Sequence, residues 1–206
     1  MEKIKYEPVI ITGPSGAGKT ALVDYITLKN NLFEEAIGVT TREKRENETA
    51  KMQFIDKEEF ERLIKMDKFI EFCQYNGNYY GTCKTEFLKL NDSYVIFNVG
   101  YSSAKIIKET FNNSYMIYLL PPTNEELIFR LGDRNYERYI LGMKETIQNA
   151  LKYEYLLISK TNDFETIYND FIDIIEMNSK SKQKRMTLLK NRDFVKSFYE
   201  KGDILC

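Results

Sequence analysis

The sequence predicts an α/β fold: a parallel sheet core layered between helices, with a small mixed α+β insert and a lid. Three observations lead there. Short apolar runs with strand character recur between amphipathic helical stretches along most of the chain. A glycine-rich turn joins the first such run to the first helical stretch. Between about residues 33 and 90 the alternation breaks into several short strand-like pieces around one helix, which reads as an insert on the core.

Taken in order, Pro8 to Thr12 is the first strand, with Val9, Ile10 and Ile11 as a buried run. Gly13 to Gly18 is the turn, and Ala21 to Lys29 a helix with Leu22, Val23 and Ile26 on one face. The insert holds strand-like pieces at Ala36–Val39, Gln53–Ile55, Phe69–Tyr75 and Tyr79–Gly81, with an antiparallel look. Its helix, Lys57 to Met66, turns Phe60, Leu63 and Ile64 to one side. The alternation resumes with a strand at Tyr94–Val99, a helix at Ser102–Phe111 and a strand at Tyr115–Leu120, stopped by Pro121-Pro122. Thr123, with Glu126 three residues on, marks an N-cap opening a helix to about Leu131. A polar stretch at Gly132–Tyr136, a helix to about Tyr155, a strand at Leu156–Ile158 and a helix at Asp163–Glu176 complete the pattern. The expected organisation is a core of residues 1–32 and 91–176 with its lid at about 130–142, an insert at 33–90, and an added segment at 177–206.

The 206 residues are enough for a sizeable core, and 43% are hydrophobic, as in an ordinary globular chain. The 30 basic and 31 acidic residues leave a net charge of −1, which argues for neither nucleic acid nor a membrane surface as partner, although local clusters can still bind anions. No run reaches the length of a membrane span, and the charged first residues lack the apolar stretch of a signal peptide. The absence of histidine removes histidine bases, triads and histidine-bearing metal sites. Cys73, Cys83 and Cys206 are odd in number and far apart, which suits free thiols in a reducing cytoplasm. From residue 178 on, eight basic residues face three acidic ones, and Met186, Leu189, Phe194, Val195 and Phe198 suggest an amphipathic helix, either packed on the body or on another subunit or, as the less favoured reading, touching nucleic acid. Monomer and homodimer both remain open.

Gly13-Pro14-Ser15-Gly16-Ala17-Gly18-Lys19-Thr20 fits G-x-x-x-x-G-K-[ST]. The glycines let the backbone curl until successive N–H groups converge on phosphate oxygens, and the following helix points its positive end at the same anion. Lys19 can reach the β- and γ-phosphates of a nucleoside triphosphate, read here as ATP. The Thr20 hydroxyl can ligate the Mg2+ that bridges them. An apolar strand before the loop and a helix after it are the context this chemistry needs.

Two further segments bear on a second ligand. In Thr40-Thr41-Arg42-Glu43-Lys44-Arg45, two arginines three apart either clamp a phosphate or decorate a charged turn. Glu71, flanked by Phe69, Ile70 and Phe72, either accepts hydrogen bonds from a planar donor edge such as that of guanine or points outward from an alternating strand.

Together with Gly77-Asn78-Tyr79-Tyr80-Gly81-Thr82, Leu120-Pro121-Pro122 with Glu125-Glu126-Leu127 and Arg130-Leu131, and Tyr153-Glu154-Tyr155-Leu156-Leu157-Ile158, these segments resemble guanylate kinase in order and spacing, over about residues 6 to 176. The resemblance implies ATP + GMP ⇌ ADP + GDP on a P-loop NTPase core, with the insert as the nucleoside monophosphate-binding subdomain. It implies that Gly13, Pro14, Ser15, Gly16, Ala17, Gly18, Lys19 and Thr20 serve ATP and Mg2+. It implies that Arg42, Arg45 and Tyr80 bind the GMP phosphate, that Glu71 and Thr82 read guanine, and that Arg130, Arg134 and Arg138 cover the transferring phosphoryl group.

Four positions depart from that family. Gly38 and Met52 stand where a serine and a tyrosine usually hold GMP, and Asn98 and Gly100 where two aspartates usually stand. These departures bear on the acceptor side. They leave two other readings to weigh, a kinase for another monophosphate and a related module that binds protein in place of GMP.

Overall fold

The computed structural model describes residues 4–44, 46, 51–120, 129–130, 155–158 and 163–176. Five strands form one sheet in the order β2-β7-β1-β8-β9: β1 (Val9–Thr12), β2 (Phe33–Glu35), β7 (Tyr94–Asn98), β8 (Tyr115–Leu120) and β9 (Tyr155–Ile158). β2 runs parallel to β7, and β9 runs parallel to β8. β1 is central, and its apolar run is fully buried, as expected of a strand covered on both faces. Four strands form a second sheet in the order β4-β3-β6-β5: β3 (Gly38–Thr40), β4 (Met52–Phe54), β5 (Phe69–Tyr75) and β6 (Asn78–Cys83).

The chain divides into two compact units, Met1–Ile10 with Ile26–Ser114, and Ile11–Tyr25 with Tyr115–Cys206. In the first, the expected strand at Ala36–Val39 is corrected to two. The chain leaves the first sheet after β2, where the Ala36 N–H still donates to Ile96 O at 2.9 Å. The next N–H, that of Ile37, goes to the carboxylate of Glu86 at 2.8 Å instead of to a strand, and β3 then starts the second sheet. That sheet is mixed, because β3 pairs parallel with β4 and antiparallel with β6. β5 and β6 form a hairpin closed by Asn76 and Gly77, both at positive φ (52° and 78°), which matches the twist of the flanking strands.

Helix α2 (Lys57–Lys65) covers one face of this sheet. Asp56 caps it by accepting from the Glu59 N–H at 2.7 Å, and acidic residues fill its first turn and basic ones its last. Asp67, at φ 52°, ends it in the left-handed conformation, with N–H groups of Asp67 and Lys68 returned to Ile64 and Leu63. Its apolar side delivers Phe60 to a cluster with Val39 and Phe69. Phe60 stacks on Phe69 at 4.5 Å and on Tyr79 at 5.1 Å. A 3-10 helix at Lys84–Asn91, absent from the sequence reading, leads back to β7, and helix α3 (Tyr101–Thr110) follows.

In the second unit, β8 is buried along its whole length. Helix α4 (Phe164–Glu176) turns Ile167, Phe171, Ile174 and Ile175 inward. The first helix, α1, runs Lys19–Lys29, two residues earlier than expected. Its Tyr25 stacks on Phe164 at 5.6 Å and donates to Glu165 at 2.5 Å, which ties the helix after the glycine loop to α4. Among the described residues, no helix is long and apolar enough to cross a membrane. The expected helices within 123–131 and 137–155, apart from helical Phe129 and Arg130, lie outside the described residues, as does the basic segment from 178 on.

Candidate active site

The donor half is built in the second unit. β1 ends at Thr12, and the chain turns at Gly13 with φ 149°. A Cβ at Gly13 would meet the Leu119 carbonyl oxygen of β8 at 2.2 Å, so the loop passes this close to the sheet only because residue 13 has no side chain. Gly16 and Gly18 also carry positive φ, 82° and 94°, and the Ala17 N–H closes the curl on Pro14 O at 3.3 Å. Lys19 opens α1 and folds back over the loop, donating to Gly13 O at 2.8 Å and Pro14 O at 3.0 Å. Burial pulls its pKa down to about 8. Arg130 reaches the same loop, its Nη1 lying 3.5 Å from Gly16 O, at the long limit of a hydrogen bond. Thr20 lies in the first turn of α1.

The acceptor half is built in the first unit. β5 pairs Phe69 with Cys83 but Glu71 with Thr82, so two steps on β5 match one on β6. The extra residue at Ile70 is a β-bulge, and it decides where Glu71 points. Phe69 and Cys83 belong to the aromatic cluster under α2. Without the bulge, strand alternation would send Glu71 to that same face. With it, Glu71, Cys73, Tyr80 and Thr82 share the opposite face. There Glu71 is only 3% exposed, so the outward reading of this residue does not hold. Its Oε1 accepts from the Thr82 hydroxyl at 2.7 Å, and its Oε2 is buried without a hydrogen-bond partner. Burial pushes the Glu71 carboxyl upward, while the nearby hydroxyls of Ser103 and Thr82 pull the other way.

Arg42 sits at the end of β3, which two threonines anchor to β6. The Thr40 hydroxyl donates to Tyr79 O at 2.8 Å, and the Thr41 hydroxyl accepts from Tyr79 N at 2.9 Å. The Arg42 guanidinium lies over the Phe54 ring at 5.2 Å and donates to Glu43 O at 2.9 Å. Tyr80 is half-buried and pairs with Thr40 on one side and Cys73 on the other. Arg45, Arg134 and Arg138 lie outside the described residues.

The structure adds a residue that sequence reasoning missed. Glu35, buried at the end of β2, accepts from the Asn98 side chain at 3.1 Å. A carboxylate therefore meets position 98 from the neighbouring strand, although Asn98 itself carries no charge. The residue carried no distinct sequence signal, because β2 holds a second acid, Glu34, beside it. Ser103, discussed below, was also missed.

A central strand running into a glycine-curled loop, with a lysine folded back on it and a helix opening behind it, defines a P-loop nucleotide-binding protein. The family model described as Guanylate kinase matches residues 5–178, and the chain belongs to the guanylate kinase family. The guanylate kinase of Mycoplasma pneumoniae is 40% identical over 150 residues, covering 69% of this chain and 60% of that relative's length. That of Carboxydothermus hydrogenoformans is 34% identical over 189 residues, covering 86% of this chain and 91% of the relative. Among solved structures, a guanylate kinase from Anaplasma phagocytophilum superposes with a TM-score of 0.69 at 22% identity, covering 93% of this chain and 97% of that one, a likeness of fold.

Proposed function

We propose that this chain transfers the γ-phosphoryl group of ATP to GMP, giving ADP and GDP. The observation that carries the acceptor assignment is Glu71, a buried carboxylate with one oxygen held by Thr82 and the other unpartnered. Guanine offers an adjacent N1–H and N2–H₂ pair to such a group, and adenine offers no matching pair.

In this reading the Gly13–Thr20 loop binds the triphosphate, with Lys19 on the β- and γ-phosphates. The hydroxyl of Thr20 is a hard oxygen donor of the kind Mg2+ takes, and the remaining ligands would be phosphate oxygens and water. A Mg2+ ion held by that hydroxyl would supply neutralisation of phosphate charge. Arg42, Arg45 and Tyr80 hold the GMP phosphate, and Glu71 with Thr82 reads the base. Arg130, Arg134 and Arg138 screen the transferring group. The attacking atom is a phosphate oxygen of GMP, which displaces ADP, so no side-chain base is needed and the lack of histidine is no obstacle. The work of the protein is placement and charge stabilisation. The insert at 33–90 would carry the acceptor site and residues 130–142 the lid, in a cytoplasmic setting consistent with the free thiols of Cys73 and Cys83.

A coupled assay of ADP release with GMP, dGMP, AMP, CMP and UMP tests the proposal. Turnover is expected on GMP, with AMP poorer by orders of magnitude. Turnover on AMP without GMP would remove the base-reading role of Glu71, and ATP binding with no turnover on any monophosphate would leave a binding module.

A further inference from the structure

Helix α3 packs against β5 and places one hydroxyl on the face that carries Glu71. Ser103 lies in the first turn of α3 and is 3% exposed. Its Oγ donates to Cys73 Sγ at 3.6 Å. Cys73 stands two residues from Glu71 on the same face of β5, and the cross-strand partners of the two are Tyr80 and Thr82. Sulfur is a weak acceptor, whereas a carboxylate is a strong one. Buried beside both, a serine hydroxyl has one proton and two acceptors to choose between.

We propose that Ser103 is a positioning residue for acceptor recognition, whose hydroxyl is shared between the Cys73 sulfur and the Glu71 carboxylate and holds that carboxylate in register for the base. The proposal rests on the reading of Glu71 as the group that meets guanine. Thr82 fixes one side of the carboxylate through Oε1 at 2.7 Å. That single bond leaves rotation about it open, and a second hydroxyl arriving from α3 limits that rotation. It also favours the ionised form, because a hydrogen bond donated to a carboxylate stabilises its charge. The ionised form is the one that offers Oε2 as an acceptor. Ser103 Oγ donates to Cys73 Sγ at 3.6 Å, and Glu71 Oε2 has no hydrogen-bond partner. The pull that Ser103 exerts on Glu71, opposite in sign to burial, agrees with this placement. Cys73 is then a spare acceptor that parks the proton, and its own thiol is held protonated by burial.

The test is steady-state kinetics of Ser103→Ala, Cys73→Ala and Glu71→Gln against the parent chain between about pH 5 and pH 8. Ser103→Ala is expected to raise KM for GMP about three- to tenfold, the size of one ordinary hydrogen bond, because the hydroxyl is shared with the sulfur, with kcat and KM for ATP within about twofold. The pH below which KM for GMP climbs should move upward in Ser103→Ala and downward in Cys73→Ala, where the serine has the carboxylate alone. Equal losses in both KM values and kcat would mean a structural role and overturn the proposal. So would an unmoved acid limb in both variants. If Ser103→Ala unfolds, the Cys73→Ala limb alone decides. Glu71→Gln separates the two levels: a normal KM for GMP there removes the base-reading role and this proposal with it. A large rise there with unmoved Ser103 and Cys73 variants removes this proposal alone.

Discussion

Met52 occupies the space that a side chain on Gly38 would need. The two residues face each other across the β3–β4 pair, and a Cβ at 38 would meet Met52 Sδ at 2.5 Å and Cε at 3.1 Å. A side chain at position 38 and the present Met52 side chain would therefore compete for one space. Gly38→Ser displaces the far end of a flexible thioether side chain, not backbone, so its destabilisation should stay below about 1 kcal/mol. In a Met52→Ala background the same substitution should be near neutral, giving a coupling of about 0.5 kcal/mol or more in a double-mutant cycle. Urea unfolding of the four proteins measures it, and equal effects in both backgrounds would show that the residues do not compete for space.

Gly81 makes the opposite case. A Cβ there would meet Glu71 O at 2.9 Å, Phe69 Cδ1 at 2.9 Å and Phe72 Cβ at 3.0 Å. These neighbours are the bulged backbone and a packed ring, which cannot swing aside. Gly81→Ala should destabilise by about 1–3 kcal/mol, as overpacking does. Because the pressure falls on the bulge that aims Glu71, KM for GMP should rise more than KM for ATP. A variant as stable as the parent, with both KM values unchanged, would show that β5 absorbs the methyl freely.

Gly100 has open space around it. It is the N-cap of α3, at φ −69° and ψ 167°, with no side-chain cap, and a Cβ there would meet nothing within 4 Å. Those angles suit any residue, so Gly100→Asp should add a capping carboxylate without strain. The expected gain is a few tenths of a kcal/mol, since glycine is already an acceptable cap. Thermal unfolding at neutral pH tests this. A fall in stability would mean that the added charge meets repulsion that outweighs the cap.

Much of this was legible in the sequence because local signals and tertiary packing agreed. The apolar run before Gly13, the loop spacing and the span of β5 followed from residue type and period alone. What stayed hidden depended on partners distant in sequence. Strand alternation could not show that one bulged residue turns Glu71 onto the other face, because the bulge is a property of the β5–β6 pairing. The break between β2 and β3 was equally invisible, since it is set by the Glu86 carboxylate 49 residues on. Asn76-Gly77 was a hairpin signal in plain view. The meeting of Glu35 with Asn98 needed the parallel pairing of β2 and β7.

Glu71 has a consequence for stability. Burial pushes its folded-state pKa above the ordinary glutamate value, so the folded chain holds that proton more tightly than the unfolded one. The stability this contributes is fully present below the unfolded value and is lost as pH rises through the folded one. Ionising the side chain therefore weighs against folding. Glu71→Gln keeps an oxygen for the Thr82 hydroxyl and removes the charge. It should melt at a higher temperature than the parent near pH 7, with the difference shrinking toward pH 4. A variant that melts lower at pH 7 would show that the ionised carboxylate is stabilised by its surroundings.

Lys19 gives the donor half its own pH signature. Its ammonium is held by two loop carbonyls, and burial lowers its pKa to about 8. A bound triphosphate favours the charged form and must raise that value. Above about pH 8, nucleotide binding therefore takes up a proton, and affinity should fall by up to about tenfold per pH unit until the raised value is reached. The terminal phosphate of the nucleotide ionises near pH 6 to 7, so its own titration lies below this window. Lys19→Arg stays charged throughout, and its affinity, whatever its absolute level, should be flat over the same range. Lys19→Ala should abolish transfer while leaving the melting temperature close to that of the parent. Titration calorimetry with ATP from about pH 7 to pH 10, in two buffers of different ionisation enthalpy, reads both the affinity and the proton uptake directly. A parent chain with no proton uptake near pH 9, or a Lys19→Arg variant with the same slope, would show that some other group titrates in the loop.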